Sequence, residues 1–545
     1  MANGGIFVAP AKKKVNVLNC WLQYLILPKL TKYVFMKFLL AFVGLWLVLS
    51  LPAQPNPQTI DQYIDQARTA WQVPGLAVAI IKDGNVVLSK GYGVKSVGGV
   101  DNVDEHTLFA IASNTKAFIS TSIALLVEEG KLKWDDPVQR YLPYFQLYDP
   151  YVTSHTTVRD LLCHRVGLGT FSGDVIWFKS LYSAEESVKR ARYLPQAYEF
   201  RAGYGYSNLM FMAAGEVIKA VSGQSWDKFV HQRILVPLGM SRTQTSISTL
   251  ATAGNFATPH KSIFGPAEPI AYANWDNMGA AGGLLSSVHD MTHWLQLHLN
   301  QGSWNGFSIY KPEAQEIFWS LHNSFNVNPA TRNVYPGRNF AGYALGWSIS
   351  ETNGKRVLSH SGGYDGMYSQ VLLVPDLNLG LVVLTNSMTS IGSMLCNYIS
   401  AQYLGLPERN WSQIGLENER KGQAERRRWV EERQKARVLG TRPLLPLAQL
   451  AGTFYDPLFG EVLIDVKGSD LELRFPHAPA LNATLTHWHH QTFLINWQEP
   501  HAWFDFGTIQ FILDNNNQQV KALEFDVPNE DIFFEEIHAK RVDKK

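Results

Sequence analysis

Residues 108–126 read Leu-Phe-Ala-Ile-Ala-Ser-Asn-Thr-Lys-Ala-Phe-Ile-Ser-Thr-Ser-Ile-Ala-Leu-Leu. A strand-like apolar run, Leu108 to Ala112, leads into a helical pattern expected from about Asn114 to Gly130. Ser113 and Lys116 stand three residues apart at its start, and positions i and i+3 share a helix face. A serine hydroxyl is a poor nucleophile until a neighbour takes its proton. A lysine can do so only if burial disfavours its ammonium form, and the apolar flanks would bury this turn. Backbone N–H groups at the helix start suit an oxyanion. The pair is not specific by itself. A chain this long holds roughly two Ser-x-x-Lys matches by chance, and Ser225-Trp226-Asp227-Lys228 is another. A plain helix N-cap would also explain Ser113.

Two further elements follow. Tyr206-Ser207-Asn208 offers a phenol that neighbouring cations would push toward phenolate for proton relay. Its asparagine could hold Lys116 or a substrate amide. Tyr272-Ala273-Asn274 is a rival match, and a packed aromatic at a loop edge is the plainer reading of Tyr206. His360-Ser361-Gly362-Gly363 ends a strand pattern, where glycines let a substrate lie close to the strand and His360 could bond a carboxylate or carbonyl.

In this order, Ser-x-x-Lys, Tyr-x-Asn and His-x-Gly resemble the class C β-lactamase and penicillin-recognising serine hydrolase family. Leu161-Leu162-Cys163-His164-Arg165-Val166-Gly167-Leu168 is similar to that family's Leu-Leu-x-His-x-x-Gly-Leu stretch. Ala281-Gly282-Gly283-Leu284, with Ser286, Ser287 and Asp290, is similar to its Ala-Gly-Gly-Leu loop. The resemblance spans about residues 57 to 405. It implies Ser113 as the acylated nucleophile and Lys116 with Tyr206 as the proton-transfer pair, their division of labour open. Asn208 would position substrate, and His360, Gly362 and Gly363 would line the site. The N–H groups of Ser113 and Gly363 would form the oxyanion hole. It implies no metal and no cofactor.

One departure narrows the reading. β-Lactamases proper begin the third motif with lysine, whereas this chain has His360, which is only partly charged near neutral pH. The expected activity is therefore hydrolysis of peptide amides or esters, of DD-peptidase, D-aminopeptidase or esterase type. True β-lactamase activity is the alternative, and a catalytically inactive envelope or peptidoglycan-binding protein is the alternative from another class. The expected partner is a small-molecule or peptide substrate, with peptidoglycan fragments among the candidates. A net charge of +1 gives no basic field for nucleic acid.

The remaining sequence sets the organisation. Met36-Lys37 precedes an apolar run, Phe38 to Leu51, then Pro52-Ala53-Gln54. This reads as a signal peptide with cleavage after Ala53 and Met36 as initiator. An uncleaved anchor is the alternative, and both readings export the protein to the periplasm or beyond. Residues 54–410 form the expected hydrolase domain, an α+β fold with an antiparallel sheet flanked by helices and a helical insertion at about 155–330. Expected elements include a helix from Thr59 to Trp71, a hairpin around Asp83-Gly84-Asn85, strands at 343–350, 356–360, 370–374 and 379–385, and a helix from about Ser390 to Leu404. Residues 411–442 read as a charged helical linker. Residues 443–545 read as a β-domain, barrel-like, with strands at 453–455, 461–466, 471–475, 492–497, 503–506 and 509–513. The three cysteines, Cys20, Cys163 and Cys396, fit no zinc or disulfide framework. A Cys163–Cys396 bridge is conceivable and two buried thiols the plainer reading. His487-Trp488-His489-His490 reads as a polar strand face rather than a metal site.

Overall fold

The computed structural model describes residues 55–542 apart from 263, 264, 336 and 517. The leader and signal-peptide reading lies outside the described residues. No helix among the described residues is long and apolar enough to cross a membrane.

The central element is an eight-stranded antiparallel sheet. Its strands are β1 (Gly75–Lys82), β2 (Asn85–Gly93), β3 (Asn323–Ser324), β4 (Ala341–Tyr343), β5 (Ser348–Thr352), β6 (Lys355–Tyr364), β7 (Met367–Val374) and β8 (Leu379–Thr385). Their order is β2-β1-β8-β7-β6-β5-β4-β3. Strand β1, Gly-Leu-Ala-Val-Ala-Ile-Ile-Lys, is apolar up to its last residue because both faces are covered. Its side chains alternate between two cores: Ala77, Ala79 and Ile81 enter one, and Leu76, Val78 and Ile80 the other.

Helices cover both faces, an α+β plan. On one face lie α1 (Pro57–Ala70) and α6 (Ile391–Tyr403), together with the start of α7 (Trp411–Lys435). On the other lie α2 (Thr115–Glu128), the short α3 (Asp174–Trp177), α4 (Asn208–Ser222) and α5 (Val288–Leu299). Helix α2 is buried along most of its length, its buried residues including Lys116, Ser120, Thr121 and Ser122. The helical insertion falls between β2 and β3.

The expected strand over 343–350 is two strands, β4 and β5, divided at Ala344–Trp347. The break has a cause in packing. Gly346 donates its N–H to Leu162 O and sits against the Lys116 carbonyl, so the chain turns there to meet α2.

The C-terminal segment is a closed eight-stranded barrel: β9 (Gly452–Asp456), β10 (Gly460–Lys467), β11 (Asp470–Arg474), β12 (Ala483–His489), β13 (Thr492–Trp497), β14 (Thr508–Leu513), β15 (Val520–Asp526) and β16 (Lys540–Arg541). The two residues of β16 close it, pairing with β9 through Phe454↔Arg541 and with β15 through Ala522↔Lys540. At this strand number the interior is just filled by side chains, here Phe454, Ile464, Leu473, Phe493, Phe511 and Phe525. Sequence reading omits β12, β15 and β16 and expects a strand at 503–506. That segment is loop, and Trp503 leaves the barrel to line a cleft.

Residues 56 onward form one compact unit. The expected linker helix is α7, and it runs beside the barrel. Arg433 pairs with Asp526 at 2.7 Å and Arg426 with Glu530 at 3.3 Å. Cys163 and Cys396 are free and buried, not bridged.

Candidate active site

Strand register and helix starts bring Ser113, Tyr206, Asn208, His360 and Gly363 to one cleft of about 490 Å³, with Lys116 and Gly362 packed against Ser113. Ser113 lies in a turn of 3₁₀ helix, Ala112–Asn114, that runs into α2. Ala112, just before it, has φ +45°, a left-handed conformation that costs a non-glycine residue roughly 1–2 kcal/mol. Such strain persists only where packing over-determines it, and Ala112 is fully buried.

Lys116 is fully buried. Its Nζ donates to Ser113 Oγ at 2.9 Å, to Asn208 Oδ1 at 2.7 Å and to Ala281 O at 2.8 Å. These three acceptors match the three hydrogens of an ammonium. A neutral amine keeps two of the bonds and turns its lone pair to the Ser113 hydroxyl. Burial drives Lys116 toward that neutral form, lowering its pKa from 10.5 to about 7, with Asp174 opposing. The close seat of Ala281 on α4 depends on Gly215, where a Cβ would meet Ala280 Cβ at 2.5 Å.

The rival Ser-x-x-Lys match separates on burial. Lys228 is solvent-exposed, whereas Lys116 is enclosed. The rival Tyr272 spends its hydroxyl on Ala257 O.

Asn208 opens α4 and is used at both ends. Its Oδ1 accepts from Lys116, and its Nδ2 donates to Asp174 Oδ2 at 2.7 Å. This geometry makes it a holder of Lys116 before it is a contact for substrate. Asp174 also accepts from Trp177 Nε1 at 2.8 Å. Burial pushes its carboxyl well above the usual range, with the Trp177 and Asn208 N–H groups acting in the other direction. Asp174 was not legible as a site residue, because a Gly-Asp pair in a loop carries no motif.

Tyr206 lines the same cleft as Ser113, and the Lys116 Nζ lies 4.7 Å from its ring centroid. The sequence expectation that nearby cations favour its phenolate is corrected here. Burial outweighs them and pushes the phenol well above its ordinary value, so Tyr206 rests protonated. His164, within the Leu-Leu-x-His stretch, sets its position. The ring is 4.2 Å from that of Tyr206, and Nδ1 accepts the Ser207 N–H at 3.0 Å. Asp160 anchors the same stretch by accepting from Arg165 and Arg201, each at 2.6 Å.

His360 is buried beside Tyr343, whose hydroxyl donates to Nε2 at 2.7 Å. Nδ1 donates to Ser361 O at 2.6 Å. Burial and nearby Lys116 lower its pKa to about 3. The expectation of a partly charged histidine is thus corrected: His360 is neutral, with both nitrogens occupied.

At Gly362 a Cβ would lie 2.3 Å from Ile111 O and 2.9 Å from Ser113 N, so only glycine lets β6 approach the Ser113 turn this closely. The two-residue turn Asp365–Gly366 makes Tyr364 and Met367 a bonded pair. By antiparallel alternation Gly363 then turns its N–H away from β7. Strand β5 stops pairing at Ser348↔Ser359, which leaves that N–H facing the cleft.

The barrel supplies the remaining wall. Trp503, Glu530, Asp531 and Ile532 line the same cleft as Ser113. Trp503 is fixed by donating Nε1–H to Asp365 at 2.6 Å. Nearby, Glu536 accepts from Ser172 Oγ at 2.6 Å and Gly173 N at 2.8 Å. Among the described residues no group of three His, Cys, Asp or Glu is placed to hold a metal. In the 487–490 histidine run, His489 Nδ1 accepts the Val438 N–H and His487 Nε2 donates to His490 O.

The family model described as Beta-lactamase matches residues 60–398, and one described as a domain of unknown function, DUF3471, matches residues 436–541. "Unguisins hydrolase ungD'" of Aspergillus campestris is 29% identical over 62% of this chain and 63% of its own length. "Unguisins hydrolase ungD" of Aspergillus violaceofuscus is 27% identical over 79% of this chain and 80% of its own. "Protein flp" of Staphylococcus aureus is 27% identical over 64% and 66%. The chain thus spans less than two thirds of the length of the A. campestris relative. Among solved structures, the octameric penicillin-binding protein homologue from Pyrococcus abyssi shares the fold, with TM-score 0.59 and 21% identity, over 89% of this chain and all of that one. The chain belongs to the beta-lactamase family.

Proposed function

We propose that the chain is a serine hydrolase that works through an acyl-enzyme on Ser113 and acts on peptide amides or esters. The observation that carries the reading is the buried Lys116 Nζ, 2.9 Å from Ser113 Oγ and held near neutrality in pKa. Neutral Lys116 takes the Ser113 proton as Oγ adds to the substrate carbonyl. The Ser113 and Gly363 N–H groups receive the oxyanion. The proton passes through Tyr206, which rests protonated, to the departing amine or alcohol. Water then enters, and the same groups return its proton to Ser113 Oγ as the acid leaves. Asn208, held by Asp174, keeps Lys116 in place.

The β-lactamase alternative finds little support in the site. A penicillin carries a carboxylate, whereas His360 is neutral and, among the described residues, no lysine or arginine lines the cleft. We therefore expect kcat/KM for nitrocefin at least about 100-fold below that for a p-nitrophenyl ester, with both activities lost in Ser113→Ala. Nitrocefin turnover equal to ester turnover would restore the alternative. Export, with the mature chain starting near residue 54, is part of the proposal and is tested by mass measurement of the chain recovered from cells.

A further inference from the structure

The cleft has an acid without a countercharge. Asp531, from the loop after β15, lines it together with Ser113. Among the described residues its side chain has no hydrogen-bond donor and no ion-pair partner, whereas neighbouring Glu530 is held by Arg426 at 3.3 Å. The loop is built rather than slack. Asn529 accepts the N–H groups of Asp531 and Ile532 at 3.0 and 2.6 Å, and donates to the carbonyls of Val527 and Ile532 at 2.8 and 2.7 Å. This bracket fixes where Asp531 stands.

The rest of the cleft has the same polarity. Asp174 lies on its wall, and among the described residues no lysine or arginine does. The Lys116 amine is turned to Ser113, Asn208 and Ala281 and offers Asp531 no hydrogen bond. Tyr206, Trp177, Trp275, Tyr368 and Trp503 form an aromatic lining, and aromatic faces attract cations. Burial and the neighbouring acids Glu530 and Asp365 raise the Asp531 carboxyl to about 7, a cost that an incoming cation would offset.

We propose that Asp531, delivered by the barrel, receives a protonated amino group of the substrate, so that the cleft selects acyl donors carrying an ammonium over those carrying a carboxylate. This rests on the acyl-enzyme reading of Ser113. It gives the barrel a role in choosing the substrate.

The test uses the full chain and reads binding rather than turnover. Aminoalkylboronic acids, from aminomethyl to aminopentyl, add Ser113 Oγ to boron and place an ammonium at graded reach. Each is compared with its N-acetyl and N-succinyl forms by protection of Ser113 against a fluorophosphonate. The tightest ammonium member is expected to protect at concentrations at least tenfold below its N-acetyl counterpart, with the N-succinyl form weakest. Asp531→Asn is expected to shrink the tenfold ratio to threefold or less, and Asp531→Glu to keep the order. Equal protection by ammonium and acetyl forms in the parent chain, or a ratio unchanged in Asp531→Asn, overturns the proposal. The parent series decides the matter even if the variants fail to fold. Absence of fluorophosphonate labelling at Ser113 would instead overturn the acyl-enzyme reading, and the proposal with it.

Discussion

An alkylammonium in water titrates near 10.4, far above any pH at which it could serve as a base for serine. What changes Lys116 is its surroundings: complete burial, with Asp174 the opposing charge. The sign for activity follows. Below about pH 7 the amine is protonated and cannot accept the Ser113 proton; above it the neutral form is present. We expect kcat/KM for a neutral ester to rise with pH to a plateau, with a midpoint near 7. His360, near 3, does not contribute to that limb. Lys116→Ala is expected to lose roughly 10²–10⁴-fold, the usual worth of a positioned base. Lys116→Arg, which keeps charge but cannot deprotonate, should be as poor. A loss below tenfold in either would give the base role to another group. Ser113, Lys116 and Tyr206 were legible as candidates through the order of their motifs, none of which is specific by itself. Asp174 and His164 were not, because each acts by holding another side chain, and that relation exists only in the folded chain.

At the level of elements, the site is the meeting of one strand and one helix start. Strand β6 lies against the Ser113 turn because Gly362 has no side chain to hold it away. Gly362→Ala is expected to push the strand from Ser113 and cut the rate of fluorophosphonate labelling at least tenfold while the far-ultraviolet circular dichroism stays unchanged. Labelling at the parent rate would show that this approach is not needed. The apolar strands β1 and β8 were readable from hydrophobic pattern, since continuous burial leaves a continuous apolar run. The break between β4 and β5 was not, because it is set by the contact of Gly346 with α2. In the barrel, β12 and β15 carry or adjoin bulges, which interrupt the alternation of buried and polar residues that marks a strand.

In the whole molecule, the barrel closes the cleft rather than trailing behind the hydrolase. Glu536 ties it to Ser172 and Gly173, next to Asp174. Glu536→Ala leaves those donors without an acceptor, at a cost of about 1–3 kcal/mol. We expect a melting temperature lower by a few degrees and a reduced kcat/KM, read by calorimetry and ester hydrolysis; no change in either would mean the tie is incidental. Composition could announce a β-domain but not where it docks, since docking is fixed by scattered contacts such as Trp503 to Asp365. The claim on which the rest depends is the covalent one. Treating the full chain with a fluorophosphonate, digesting it and mapping the adduct by mass spectrometry tests it most directly. The structure leads us to expect a single adduct on Ser113, absent in Ser113→Ala together with all ester hydrolysis; an unlabelled Ser113, with hydrolysis surviving in Ser113→Ala, would contradict it.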